Sequence, residues 1–142
     1  MDPGLLRWGL ATAARTKRRL PVLWLFTDSA RLPDPVPAVS RLPKRIAGVV
    51  FRHDSAPNRL ALARSVAAIC RARGLAMTVA GDARLAAAVG AGVHLRGGRW
   101  PDSVRVRDLA TSSAHSLPDL RRARRAGVAV AFLSPAFPTA SH

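Results

Sequence analysis

Three short polar clusters carry most of the chemistry this chain could do, and each follows an apolar run. They are Gly92-Val93-His94-Leu95, Ser112-Ser113-Ala114-His115-Ser116 and the final stretch Ser134-Pro135-Ala136-Phe137-Pro138-Thr139-Ala140-Ser141-His142. Small-residue loops at strand ends present hydroxyls and backbone N–H groups, which is how proteins hold phosphate. Ser134 and Thr139 are therefore candidate phosphate contacts. Arg52 closes another apolar run, and a guanidinium at a strand end beside a cleft favours an anion. His115 is the candidate catalytic side chain. His94 reads as packing, directed inward from its strand. Asp82 is a candidate metal ligand, although it suits the N-cap of the following helix better.

The elements that would position these groups alternate between short β-rich runs and helical stretches. Residues 22–27 lack polar alternation and read as a buried parallel strand. A proline-rich connection (Pro33, Pro35, Pro37, Pro43) leaves room for at most a short helix before a second strand at 46–51. Asn58 is placed to cap a helix to Arg73, with Leu62, Val66, Ile69 and Cys70 on one face. Further strands are expected at 75–80, 93–95, 105–111 and 128–133, with helices at 83–89 and from Ser116 to Ala126. Ser116 and Asp119 have the spacing of a capping box. Gly74, Gly92 and Gly127 stand at helix-to-strand junctions, where a left-handed residue ends a helix cleanly. Repeated junctions of this kind predict successive βα units and a parallel sheet.

A (β/α)₈ barrel takes ~250 residues, or ~200 at minimum. The 142 residues present supply about five or six units at that rate. The expected fold is therefore α/β and TIM-barrel-like but incomplete, with about six parallel strands and a short C-terminal end. Residues 1–20 are expected to form a basic helix or arm, and residues 21–142 the barrel-like domain.

The net charge of +15 and pI of about 12.0 raise nucleic acid as a partner. The arginines are spread along the chain, only Lys17 and Lys44 are lysines, and Tyr and Glu are absent. That pattern reads as a bias toward Ala, Arg and Pro codons and offers no aromatic stacking platform. Charge-driven nucleic-acid binding is thus the less favoured class. Cys70 is the sole cysteine, which excludes disulfide frameworks and cysteine metal sites, and it reads as buried packing. Trp8, Trp24 and Trp100 also read as packing, and His53 and the Arg121–Arg125 group as solvated. The N-terminus lacks a signal-peptide h-region and the apolar runs are too short to span a bilayer, so a cytoplasmic protein without membrane attachment is expected.

With these units placed, the ordered motifs resemble the thiamine-phosphate synthase and thiazole tautomerase superfamily. Thr27-Asp28 stands where the family's first strand ends, Arg52 in its second-strand motif, and Asp82-Ala83-Arg84 after its third strand. Gly-Val-His-Leu, Ser113-Ala114-His115 and the final loop take the fourth, fifth and sixth places. The resemblance implies a (β/α)₈ barrel with its site at the strand C-termini, thiamine-biosynthesis chemistry, and a phosphorylated thiazole or pyrimidine as the partner molecule. The exposed edges of six parallel strands separately allow completion by a second chain, as in a homo-oligomer.

The synthase branch joins a pyrimidine diphosphate to a thiazole phosphate with the help of Mg²⁺. Of its Gln-x-Arg-x-Lys motif only Arg52 is kept. Asp82 remains as a metal carboxylate, but Arg99 occupies the place of the second, and His142 replaces a lysine. Arg99 and His94 are expected toward the barrel interior. Mg²⁺ is the cofactor the synthase branch implies, here through Asp82 alone, because its other metal and diphosphate positions are altered. The tautomerase branch uses a histidine in Ser-x-His-Ser as general acid/base, and Ser113-Ala114-His115-Ser116 matches it. The resemblance thus implies a ligand held by Arg52, Ser113, Ser134, Thr139 and His142, with His115 moving a proton. An enzyme is the favoured class, and a non-catalytic binding or regulatory remnant is the alternative.

Overall fold

The computed structural model describes residues 1–16, 19–101 and 109–138. The chain divides into two compact units, Met1–Met77 and Thr78–His142.

In the first unit, α1 (Pro3–Arg15) opens on Asp2, whose carboxylate accepts the Leu5 N–H. It turns the small face of Gly9 onto Leu23 and Ile46. β1 (Leu23–Phe26) runs parallel to β2 (Ala47–Phe51), pairing Leu23 with Ala47 through Phe26 with Val50. Every residue of β2 is buried, as an apolar run in a parallel sheet requires. The proline-rich connection does hold one short helix, α2 (Val36–Ser40), which packs on α3 (Arg59–Arg73). Asn58 stands at the N-cap of α3 but its side chain makes no capping bond. Ala63, Val66, Ala67 and Cys70 form the helix's buried face, so the small alanines pack deeper than Leu62 and Ile69.

β3 (Ala76–Ala80) carries the chain into the second unit. There α4 (Ala83–Val89), β4 (Gly92–Arg96), β5 (Ala110–Ala114), α5 (Leu117–Arg125) and β6 (Val130–Leu133) follow. Each of β3 to β6 is parallel to the next, with Ala80 beside His94, His94 beside Thr111, and Ala114 beside Leu133. The core of this unit is Val79, Ala86, Val93, Leu95, Ala110, Ala114 and Ala123. The fold is α/β with six parallel strands, an incomplete TIM-barrel-like class.

Several local expectations need correction. The described fifth strand, Ala110–Ala114, runs past the expected end at Thr111, and the earlier part of that expectation falls in residues 102–108, outside those described. Pairing to β4 and β6 extends the strand through the small polar run Thr111-Ser112-Ser113. The sixth strand starts at Val130, not Val128. The left-handed cap of α4 is Gly90, at φ 66°, and Gly92 is already strand. Gly92 is needed for another reason. A Cβ there would lie 2.8 Å from the Leu109 carbonyl carbon, and the Leu109 carbonyl is the acceptor for the Val93 N–H. Trp8 is exposed on α1, because Gly9 takes the packed face. Trp24 does pack, over Gly48, with its indole N–H donating to the Pro21 carbonyl at 3.0 Å.

Candidate functional site

In the first unit the strand ends hold a hydrogen-bonded cluster around Thr27, which is fully buried. The Thr27 N–H donates to the Val50 carbonyl at 3.0 Å. One step further along, the Arg52 N–H donates to Thr27 Oγ1, also at 3.0 Å. The hydroxyl therefore stands where a main-chain carbonyl would be if the parallel ladder continued. Thr27 Oγ1 is also 2.9 Å from His53 Nδ1, and His53 Nε2 is 3.0 Å from the Leu32 carbonyl oxygen. A carbonyl can only accept, so Nε2 carries a proton. The Thr27 hydroxyl then donates to Nδ1 of the neutral ring.

His53 is 1% exposed and stacks on Phe51, with ring centroids 5.0 Å apart. This corrects its reading as a solvated residue. The overlooked signal is the period of two: Val49, Phe51 and His53 share one side of the strand direction, and the first two are core residues.

Arg52 itself is exposed at the end of β2. One guanidinium nitrogen is 3.2 Å from Asp28 Oδ2, and Cζ lies 5.8 Å from the Phe26 ring centroid. Asp28 Oδ1 accepts the Ala30 and Arg31 N–H groups. The Arg31 and Ala30 amides, helped by Arg52, hold the Asp28 carboxyl below its usual pKa.

In the second unit the candidate residues gather at the ends of β4, β5 and β6. His115 Nδ1 is 2.6 Å from the Ser134 carbonyl oxygen. Nδ1 is therefore the donor, and Nε2 is the basic nitrogen of the neutral ring. The Ser134 N–H donates to the Ala114 carbonyl at 3.0 Å, so this contact extends the β5–β6 ladder. The His115 N–H donates to Asp119 Oδ2 at 2.9 Å, and the Asp119 N–H donates to Ser116 Oγ at 3.2 Å. The expected capping box is thus present with its carboxylate bond shifted one residue back. That His115 amide bond is the main reason the Asp119 carboxyl titrates below its usual value, with Arg122 helping.

Ser113 is half-buried, and its carbonyl accepts the Gly97 N–H and the Ser112 hydroxyl. Ser134 is half-buried at a cis bond to Pro135. Thr139 and His142 lie outside the described residues. His94 is 3% exposed, with Nδ1 2.8 Å from Thr111 Oγ1 and its ring tilted against Phe132. Thr111 Oγ1 is in turn 3.2 Å from Thr78 Oγ1.

Arg99, expected toward the interior, is exposed. Gly97 and Gly98 take φ values of 57° and 73° and turn the chain back, so that the Arg99 N–H bonds the Arg96 carbonyl. The turn is fastened from outside. Arg122 Nε donates to the Gly97 carbonyl at 2.9 Å and the Gly98 N–H donates to Ser112 Oγ at 2.9 Å. Arg122 also pairs with Asp119, so it is a structural tie and not one of the solvated arginines.

The described residues around Asp82 are a poor fit to Mg²⁺. Asp82 Oδ1 caps α4 through the Leu85 N–H at 2.9 Å. The guanidinium of Arg96 lies beside Gly81, with Cζ 3.4 Å from where a Cβ would stand. Among the described residues no three His, Cys, Asp or Glu side chains are grouped to hold a metal. A hard divalent cation wants several oxygens and no neighbouring guanidinium.

A model of the thiamine monophosphate synthase family matches residues 31–142. No curated protein sequence matches the chain. Among solved structures, thiamine phosphate pyrophosphorylase from Pyrococcus furiosus aligns with a TM-score of 0.65 at 20% identity, over 85% of this chain. The alignment spans 63% of that protein, and at this identity the likeness is one of fold. No helix among the described residues is long and apolar enough to cross a membrane. With the family match running through every strand but the first, the chain belongs to the thiamine monophosphate synthase family.

Proposed function

We infer that this protein acts in thiamine biosynthesis by binding a phosphorylated thiazole-type ligand and moving a proton on it, in the manner of a thiazole tautomerase. The observation that carries this reading is the contact of His115 with Ser134. Nδ1 donates to the carbonyl at 2.6 Å, which orients the ring and makes Nε2 its basic nitrogen. The proton leaves a ligand carbon for Nε2 and returns to a second ligand atom, so no redox partner or leaving group is involved. Ser113 and Ser134 are the proposed polar contacts in the same unit, with Thr139 and His142 following. Within the first unit, Arg52 is proposed by itself as an anion-binding group, its guanidinium exchanging Asp28 for a phosphoryl oxygen.

The coupling reaction named for the structural relative is the less favoured reading for this chain. Its diphosphate leaving group calls for cations organised around Mg²⁺. Here Asp82 serves as a helix cap with Arg96 close by.

Calorimetric titration with a thiazole phosphate tests the binding step. Saturable heat in wild type supports the reading. No heat in wild type refutes it.

A further inference from the structure

We propose that Thr27 and His53 are positioning residues that set the main chain of Arg52 and so aim its guanidinium. This rests on the reading of Arg52 as an anion-binding group. Arg52 lies one residue beyond β2, where the main-chain ladder stops. Its N–H is nevertheless satisfied, because Thr27 Oγ1 accepts it at 3.0 Å. A threonine hydroxyl can rotate away, and it is prevented from doing so by His53, whose unprotonated Nδ1 takes the hydroxyl proton at 2.9 Å.

The His53 tautomer is fixed in turn by the Leu32 carbonyl, 3.0 Å from Nε2. The result is a one-directional relay from His53 Nε2–H to the Leu32 carbonyl and from Thr27 O–H to His53 Nδ1. Arg52 N–H to Thr27 Oγ1 is its outer end. Phe51 holds the imidazole plane from the core side. The same relay ties the loop containing Asp28 to the β2 end, because the Leu32 N–H donates to the Asp28 carbonyl at 2.8 Å. Asp28 and Arg52 therefore face each other across a preset distance. A side chain with as many rotatable bonds as arginine gains most from such fixing at its root.

Thr27→Val removes the hydroxyl at nearly constant shape, and Thr27→Ser restores it. Inorganic diphosphate is the probe, with amide hydrogen exchange at Arg52 and the ¹⁵N signature of the His53 ring read on the same proteins. The expected result is diphosphate binding about tenfold weaker in Thr27→Val and close to wild type in Thr27→Ser. Exchange at the Arg52 amide should accelerate about tenfold or more in the valine variant while β2 core amides keep their protection. If wild type does not bind diphosphate, the anion-binding reading of Arg52 fails. The positioning role is then decided by exchange and tautomer alone. Unchanged Arg52 exchange in Thr27→Val, or a proton on His53 Nδ1 in place of Nε2, overturns the proposal.

Discussion

The imidazole of His115 donates from Nδ1 to the carbonyl oxygen of Ser134 at 2.6 Å, joining the residue after β5 to the residue after β6. His53 does the reverse, donating from Nε2 to the Leu32 carbonyl. One chain thus holds two histidines in opposite tautomers, each set by an acceptor that cannot donate. Long-range ¹H–¹⁵N spectra at neutral pH should show His115 protonated at Nδ1 and His53 at Nε2. Identical tautomers at the two rings would contradict the hydrogen-bond assignments.

Asp119 should make the protein acid-sensitive. Its folded pKa lies below the usual value, chiefly through the His115 amide, so its stabilisation is complete above the unfolded pKa of about 3.9 and is lost as pH falls through the folded pKa. Asp119→Asn should therefore melt at a lower temperature than wild type near neutrality. The gap should close as pH drops below about 4. A gap that stays constant down to strong acid would show that the carboxylate charge is not what matters.

Gly98 tests the fastening of the β4 turn onto α5. A Cβ at this position would stand 2.7 Å from the Arg122 carbonyl carbon, on a backbone with φ of 73°. Gly98→Ala should cost at least about 2 kcal/mol in denaturant unfolding, combining left-handed strain with backbone overlap. Gly127, also at positive φ, has nothing within 4 Å of a built Cβ, so Gly127→Ala should cost less. Equal costs at the two glycines would contradict the close approach at Gly98.

Cys70 should be chemically silent in the folded protein. Burial pushes its thiol pKa up to about 11, leaving about one thiolate in a thousand at pH 8. A thiol reagent should label it only on unfolding. Rapid stoichiometric labelling of the native protein would contradict its place on the buried face of α3.

The sequence carried the architecture further than the site. Apolar runs without alternation marked β1, β2 and β6, and helix-to-strand glycines marked successive βα units, because both are local signals. The end of β5 beyond Thr111 was missed because its residues are small and polar, and only neighbours on both sides select Ser112 and Ser113 as strand. The same limit applies to side chains. His115 could be named from its tetrapeptide, but its carbonyl partner is 19 residues away. The period of two could mark His53 as inward-facing, but its hydroxyl partner Thr27 lies 26 residues earlier and is not legible from spacing. Arg99 went the other way. Aligned by motif it belonged inside, yet two consecutive left-handed glycines carry it to the surface.

The proposed proton transfer to His115 Nε2 on a phosphorylated thiazole can be followed as isomerisation of a thiazole carboxylate phosphate in D₂O, by proton NMR without added metal. Wild type should turn over with deuterium incorporation, unaffected by a chelator, and His115→Ala should lose about 10²–10⁴-fold in rate. Equal rates in wild type and His115→Ala, or no turnover in wild type despite binding, would contradict that transfer and leave a binding protein without this chemistry.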